Sequence, residues 1–321
     1  WGLYYHVDYV GAPRNSKVLN CTPIQNMWEQ LSLAYENGID KLWILNVGDL
    51  KPMEYPIQLF MDLAWQGTNK YTPSTLVSNH TVPFCASIVG EAEAGEAAAI
   101  LNRYCKLAGR VTPEMLDANT YNLATGEWAQ VVDEWKTLEL QALRQYARVC
   151  PKARDAYFQL ILFPVQFMGN LYDMYYAQAM NNKLYKKGDA AMDCWAERCE
   201  KAFKRDAELM KQYNKDIAGG KWDGMMIQKH IGYTSWNDGF KADIQPKVYR
   251  TASVTNVFDE NSMGYVAMEA EHYNSKTDGQ GAQWTVIPDM GRTLSAVTLM
   301  PQTGDIKNAS LTYKFIYNGS A

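Results

Sequence analysis

No stretch of this 321-residue chain carries the run of about 18 apolar residues that a membrane span needs. Leu160 to Val165 is apolar, but Gln159, Gln166, Asn170 and Asp173 interrupt its surroundings. Basic residues are not in excess either. The net charge of −4 leaves no electrostatic footprint for nucleic acid, and the one basic cluster, Lys183 to Lys187, suits a helix C-terminus. Histidine is scarce, with four residues at positions 6, 80, 230 and 272. The six cysteines, at 21, 85, 105, 150, 194 and 199, form no CxxC pair and have no metal-ligand spacing with those histidines, so no metal and no cofactor is expected. They read as buried free thiols, although a disulfide between distant cysteines stays open. A glycine-rich phosphate loop, an HExxH helix and a GxSxG elbow are all missing.

The start of the chain, by contrast, is dense in signal. Leu3-Tyr4-Tyr5-His6-Val7-Asp8-Tyr9-Val10 reads as a strand running into the polar loop Gly11-Ala12-Pro13-Arg14-Asn15. The layout repeats in Lys41-Leu42-Trp43-Ile44-Leu45-Asn46-Val47 and Gly48-Asp49-Leu50-Lys51-Pro52. Between them Thr22, Pro23 and Gln25 offer an N-cap, a first helical position and a capping box, and Asn37-Gly38 a C-cap. Ile24, Met27, Trp28 and Leu31 keep the helical period. Strand, helix, strand, helix with near-continuously apolar strands predicts a parallel α/β unit covered on both faces. In such units polar residues at the strand ends build the site.

Pro52 to Trp65 predicts a second helix, and the polar Gly67 to Pro83 a connection. Long helical stretches follow: Glu91 to Leu107, Glu127 to Val149, Lys152 to Lys187 with a kink or start at Pro164, and Ala190 to Ala218. Their short links imply an antiparallel bundle, closed by Gly219-Gly220. From Ile244 the pattern becomes β-type, with strands expected at Val248–Arg250, Gly264–Glu271, Trp284–Ile287, Ser295–Leu299 and Leu311–Tyr317. The expected fold class is therefore multidomain: α/β at 1–70, a helical bundle at 71–240 and the start of a β-sandwich at 241–321. Trp1 opens almost directly into strand, and too few strands follow Ile244 to close a sandwich. The chain is expected to be a piece of a longer protein.

Three constellations can carry chemistry. His6, Asp8 and Tyr9 put three polar groups within four residues of a strand, either as a pocket or as satisfied polar groups of a barrel interior. Asn46, with Asp49 and Lys51, stands at the end of the second strand and is either a site amide or a loop-stabilising one. Arg14-Asn15 can bind an anionic or hydroxyl-rich ligand, or Arg14 can be an ordinary surface arginine. Of the other histidines, His80 is expected at the surface and His272 on a late strand. His230 is expected beside Tyr233 and Trp236, in a loop that either stacks on a sugar or packs onto the α/β part.

Tyr5 to Asn15, Thr22-Pro23-Ile24, Trp28-Glu29-Gln30 and Trp43 to Glu54 together resemble glycoside hydrolase family 115, the xylan α-1,2-glucuronidases. His230 to Trp236 and Glu269-Ala270-Glu271-His272-Tyr273 resemble it as well. The resemblance implies the last two βα units of a TIM-like barrel, a helical domain and the start of a β-sandwich. It implies that His6 and Tyr9 contact the uronic acid, with Asn46 in the same pocket. Arg14 and Asp49 complete the candidate substrate-binding set. The family's catalytic glutamate falls upstream of Trp1. Asp8 or Asp49 can act as acid or base on spacing alone, so the catalytic residues stay unassigned. The implied activity is inverting removal of glucuronic or 4-O-methylglucuronic acid from glucuronoxylan or xylo-oligosaccharides by a secreted or periplasmic bacterial enzyme. A homodimer fits the extended helices. A non-catalytic carbohydrate-binding or assembly module is the alternative.

Overall fold

The computed structural model describes residues 1–237, 239, 242–251, 257–259 and 265–316. The chain divides into two compact units: Trp1–Tyr176 with Glu200–Pro246, and Ala177–Cys199 with Lys247–Ala321.

The first unit begins with the expected crossover. Strand β1 (Leu3–His6) leads through helix α1 (Ile24–Glu36) to β2 (Trp43–Asn46), and helix α2 (Glu54–Gln66) follows. The strands pair in parallel with Leu3 opposite Trp43 and His6 opposite Asn46. The near-continuous apolar sequence does not give burial on both faces. Tyr4 and Ile44 are exposed, while Leu3, Tyr5, Trp43 and Leu45 are partly covered. Nor does Thr22 cap α1: Pro23 is the N-cap residue, and the Thr22 amide donates to Asn20 Oδ1. Gln25 reaches away from the expected capping box to Asn102 Oδ1 at 2.8 Å. Ile24, Met27 and Leu31 are buried, as the helical period requires.

Helices then continue through α3 (Val82–Val89), α4 (Glu91–Ala108), α5 (Glu127–Arg148), the single turn α6 (Arg154–Tyr157), α7 (Phe163–Lys187) and α8 (Met192–Lys211). No described residue from 125 to 215 lies in a strand. The expected connection at 67–83 is helical in its second half. A π-helical turn, Val77–Thr81, feeds straight into α3, where Pro83 occupies a first-turn position that needs no amide hydrogen. A second π-helical turn, Phe158–Leu162, lies just before Pro164 and absorbs the break its ring imposes on the ladder. The core of this unit is aromatic. Trp128 and Trp135 are fully buried, and Trp135 meets Tyr104 and Tyr172 with ring centroids 6.0 and 5.4 Å apart. The Tyr104 hydroxyl donates to the Asn20 carbonyl at 2.8 Å, which ties α4 to the segment entering α1.

The second unit holds β3 (Val257–Asp259), β4 (Ser275–Thr277), β5 (Gln283–Ile287), β6 (Ala296–Met300), β7 (Ser310–Thr312) and β8 (Lys314–Ile316). These form three two-stranded pairs: β3–β8 parallel, β4–β7 and β5–β6 antiparallel. The expected strands at Trp284–Ile287 and Ser295–Leu299 therefore pair with each other. Val248–Arg250 is not assigned to a strand, and the buried Asn181 side chain meets its backbone instead. Its amide donates to the Tyr249 carbonyl and its oxygen accepts the Tyr249 N–H, both at 2.8 Å. Within Gly264–Glu271, Gly264 lies outside the described residues. Tyr265 to Glu269 forms no ladder, and Glu271 and His272 lie in a turn rather than on a strand. There Glu271 Oε1 accepts the Ser295 N–H at 2.9 Å and Ala270 O accepts the Tyr313 hydroxyl at 2.6 Å. The run Leu311–Tyr317 is broken at Tyr313, where Asn274 Oδ1 takes the Lys314 N–H. Tyr317 lies outside the described residues.

Candidate functional site at the ends of two parallel strands

The parallel register places His6 and Asn46 side by side at the carboxyl ends of β1 and β2. Asn46 Oδ1 accepts the Gly48 N–H at 3.2 Å, which fixes which way its amide points. Its Nδ2 therefore faces His6 Nδ1, at 3.1 Å, as donor to acceptor. With Asn46 donating, Nδ1 accepts and the ring proton sits on Nε2; the Asp8 carbonyl, 3.4 Å from the same nitrogen, is the longer contact. Tyr4 and Tyr9 flank the ring, with centroids 4.5 and 6.2 Å away.

The loop after β1 returns on itself through two backbone hydrogen bonds between Tyr9 and Ser16, each 2.9 Å. Tyr9 is half exposed and its ring lies over Gly11, where a Cβ would come within 2.7 Å of Cε1. Asp8 is buried, and Oδ1 finds no hydrogen-bond partner. Burial pushes its carboxyl above the usual range, and Asp49 adds to that. Lys17 and His6 oppose it. The Asp8 carboxylate packs on Gly48, which has φ +57°.

Beneath this loop lies Glu114, in the single 3-10 turn Pro113–Met115. Its Oε1 accepts the amides of Lys17 and Val18 at 2.7 and 2.9 Å. Burial raises the Glu114 carboxyl above its usual range, against the pull of those hydrogen bonds. Arg14 is directed the same way. Its guanidinium donates to the carbonyls of Glu114 and Leu116 and pairs with Asp117 at 3.3 Å. Lys51 pairs with Glu54 at 2.5 Å and stacks on Trp222. Asp49 instead lines a cavity of about 430 Å³ together with Asn15, Gln228, Lys229, Tyr233 and Trp236. His6, Tyr9 and Asn46 thus gather at one end of the strand pair. Asp49 stands at the neighbouring cavity, and Arg14 is engaged with the 113–117 segment.

The loop carrying Tyr233 and Trp236 is anchored by His230. This imidazole is wholly buried, with Nε2 at 2.9 and 3.0 Å from the two Asp206 oxygens and Nδ1 at 2.8 Å from the Gln228 carbonyl. Burial alone would lower its pKa. The charge and hydrogen bond of Asp206, with help from Asp243 and the Gln228 carbonyl, outweigh that and raise it to about 9. Asp206, His230 and Asp243 are the one cluster among the described residues with ligand atoms close enough to share a cation. Both ring nitrogens face acceptors at hydrogen-bond distance, the geometry of an imidazolium held by Asp206 and the Gln228 carbonyl. A carboxylate on the buried stripe of α8 was the available signal for Asp206. His80 is also buried rather than at the surface, walled by Tyr55, Tyr71 and Phe84. Desolvation lowers its pKa, against the Asp62 carboxylate whose oxygen lies 3.4 Å from Nε2.

A parallel βαβ unit with hydrogen-bonding side chains at its carboxyl ends is the ligand-site layout of an α/β enzyme. Comparison with known proteins narrows the class. The model of Glycosyl hydrolase family 115 matches residues 1–115, and that of the Glycosyl hydrolase family 115 C-terminal domain matches residues 258–321. The chain belongs to glycosyl hydrolase family 115. No curated protein matches it. Among solved structures it is similar to a family GH115 4-O-methyl-α-glucuronidase, BtGH115A, with specificity for decorated arabinogalactans. The two share 22% identity and a TM-score of 0.58 over 89% of this chain, a likeness of fold. The chain spans 38% of the length of that structure. No helix among the described residues is long and apolar enough to cross a membrane.

Proposed function

We propose that this chain is part of a secreted or periplasmic glycoside hydrolase that removes glucuronic or 4-O-methylglucuronic acid side chains from glucuronoxylan. In this reading its first 70 residues are βα units of a TIM-like barrel, 71–240 a helical domain and 241–321 sandwich-like. The observation that carries it is the convergence of His6, Tyr9 and Asn46 at the carboxyl ends of two parallel strands. A uronate presents a carboxylate and several hydroxyls, which call for neutral and cationic donors. The Nε2–H of His6 and the Tyr9 hydroxyl are such donors, and Asn46 holds the imidazole in the donating tautomer. We take the reaction as inverting, with an acid at the leaving oxygen and a base on the water at the opposite face. Asp8 is a poor choice for either role, since its carboxylate is buried against Gly48. The catalytic carboxylate then belongs to other barrel strands.

Uronic acid release from glucuronoxylan and from decorated arabinogalactan, followed by proton NMR of the anomer first formed, tests this. The full-length protein should release the α-linked acid as the β-anomer, and the His6→Ala and Tyr9→Phe variants should be at least about tenfold slower. The 1–321 chain alone should release none. Retention of configuration would refute the inverting step, and no release from either polymer would leave the binding module as the function.

A further inference from the structure

Beside the His6–Asn46 pair, the cavity of about 430 Å³ is within the size range of small-molecule sites. Asn15 and Asp49 come to it from the loops that follow β1 and β2. The opposite wall is the aromatic loop, in which Trp236 is 44% exposed. The loop that carries it is fastened through its backbone and through Tyr233. Asn15 Nδ2 donates to the Trp236 carbonyl and to the Tyr233 hydroxyl, both at 3.3 Å, and Gln228 Nε2 reaches the same hydroxyl. At the base of the loop, Asp243 Oδ1 accepts the backbone amides of His230 and Ile231, each at 2.8 Å. Tyr175 takes the Gly232 amide at 3.3 Å, and Asp206 grips the His230 ring. A loop backbone ordered before binding loses little entropy when a ligand arrives.

The chemistry of the lining selects the ligand. An indole face accepts the apolar C–H face of a pyranose ring, and amides and a phenol around it accept and donate to hydroxyls. Among the described lining residues Asp49 and Lys229 cancel in formal charge, so this lining does not favour an anion over a neutral sugar. We propose that this cleft binds a neutral pyranose unit of the polysaccharide main chain, stacked on Trp236, while the uronate side group occupies the His6–Asn46 end; this rests on the functional reading above. Main-chain xylose and main-chain galactose share the required chemistry.

The test is titration calorimetry of the full-length protein with linear xylohexaose, linear galactohexaose and free glucuronic acid, alongside the Trp236→Ala and Trp236→Phe variants. The indole N–H signal of Trp236 is followed by NMR. Trp236 is half exposed, so both variants should keep the wild-type Tm. One of the two hexasaccharides should bind and shift the indole signal, and which one does so identifies the main chain. Trp236→Ala should weaken that binding at least about tenfold and Trp236→Phe less, with glucuronic acid binding unchanged in both. Hexasaccharide binding that is equal in wild type and Trp236→Ala overturns the cleft. Binding of glucuronic acid without either hexasaccharide overturns it too, and leaves the functional reading standing. Trp236-dependent hexasaccharide binding in a protein that releases no uronic acid supports the cleft and sinks the hydrolase reading instead.

Discussion

His6 Nδ1 and Asn46 Nδ2 meet at 3.1 Å across the β1–β2 pair, and the Gly48 amide on Asn46 Oδ1 decides which of the two donates. The relationship is set by backbone register, since the two residues are direct partners in the parallel ladder. An Asn46→Asp change keeps the acceptor for Gly48 but presents an acceptor to His6 as well, so the ring proton must move to Nδ1. The expected outcome is a switch of the His6 tautomer, read from its imidazole nitrogen shifts. A loss of roughly tenfold in uronic acid release by the full-length protein should accompany it, about 1.4 kcal/mol or one hydrogen bond. An unchanged tautomer would show that Asn46 does not orient the ring.

Gly48 is held at φ +57°, and a Cβ there would stand 2.5 Å from Asp8 Cγ. Gly48→Ala should cost about 2 kcal/mol or more, combining left-handed backbone strain with the clash. Urea unfolding measures the loss. In the Asp8→Ala background the same change should cost clearly less, because only the backbone part remains. Equal costs in both backgrounds would mean that the loop moves aside and the carboxylate does not pack on this glycine.

The βαβ start was legible because its signals are local: apolar runs, a helical period and polar strand ends lie within some fifty residues. The pairing of His6 with Asn46 followed once both were placed at strand ends. What sequence could not supply were contacts spanning long separations. Glu114 looks like a helix-start acid, yet it accepts amides almost a hundred residues earlier. Arg14 looked free to meet an anion until the 113–117 segment came to it. In the second unit, β-type sequence around Tyr249 met a side chain in place of a strand, and no alternation pattern can report that substitution.

Thiol reactivity separates the six cysteines. Cys150 and Cys194 are exposed, whereas Cys85, Cys105 and Cys199 are buried and Cys21 is half-buried. Burial pushes the Cys85 and Cys105 thiols up to about 12 and the Cys21 thiol well above its usual value. Since only thiolate attacks a disulfide reagent, two equivalents should react promptly at neutral pH and the other four only after unfolding. Counting thionitrobenzoate release before and after adding guanidinium gives the answer. Fewer than six thiols in total would reveal a disulfide.

The ion triad at His230 makes stability depend on alkaline pH. An unfolded histidine titrates near 6.5, and the folded one near 9. A raised folded pKa means that the native state binds the proton more tightly. The resulting stabilisation is complete below about pH 6.5 and is lost as pH rises through 9. The separation corresponds to something on the order of 3 kcal/mol at its fullest. The groups facing the ring are Asp206 on α8, Asp243 and the Gln228 carbonyl, with the Phe167 ring against its side at 4.6 Å. Glu114 adds a more distant negative charge. His230→Gln keeps a hydrogen-bonding side chain but cannot titrate. It should lower stability at pH 6 and flatten the curve between pH 6.5 and 9.5, so that wild type and variant converge at the alkaline end. Chemical denaturation at several pH values measures both curves. A wild-type curve that is flat, or that rises, over this interval would show that the buried imidazole is neutral and that the loop bearing Tyr233 and Trp236 is held by packing alone.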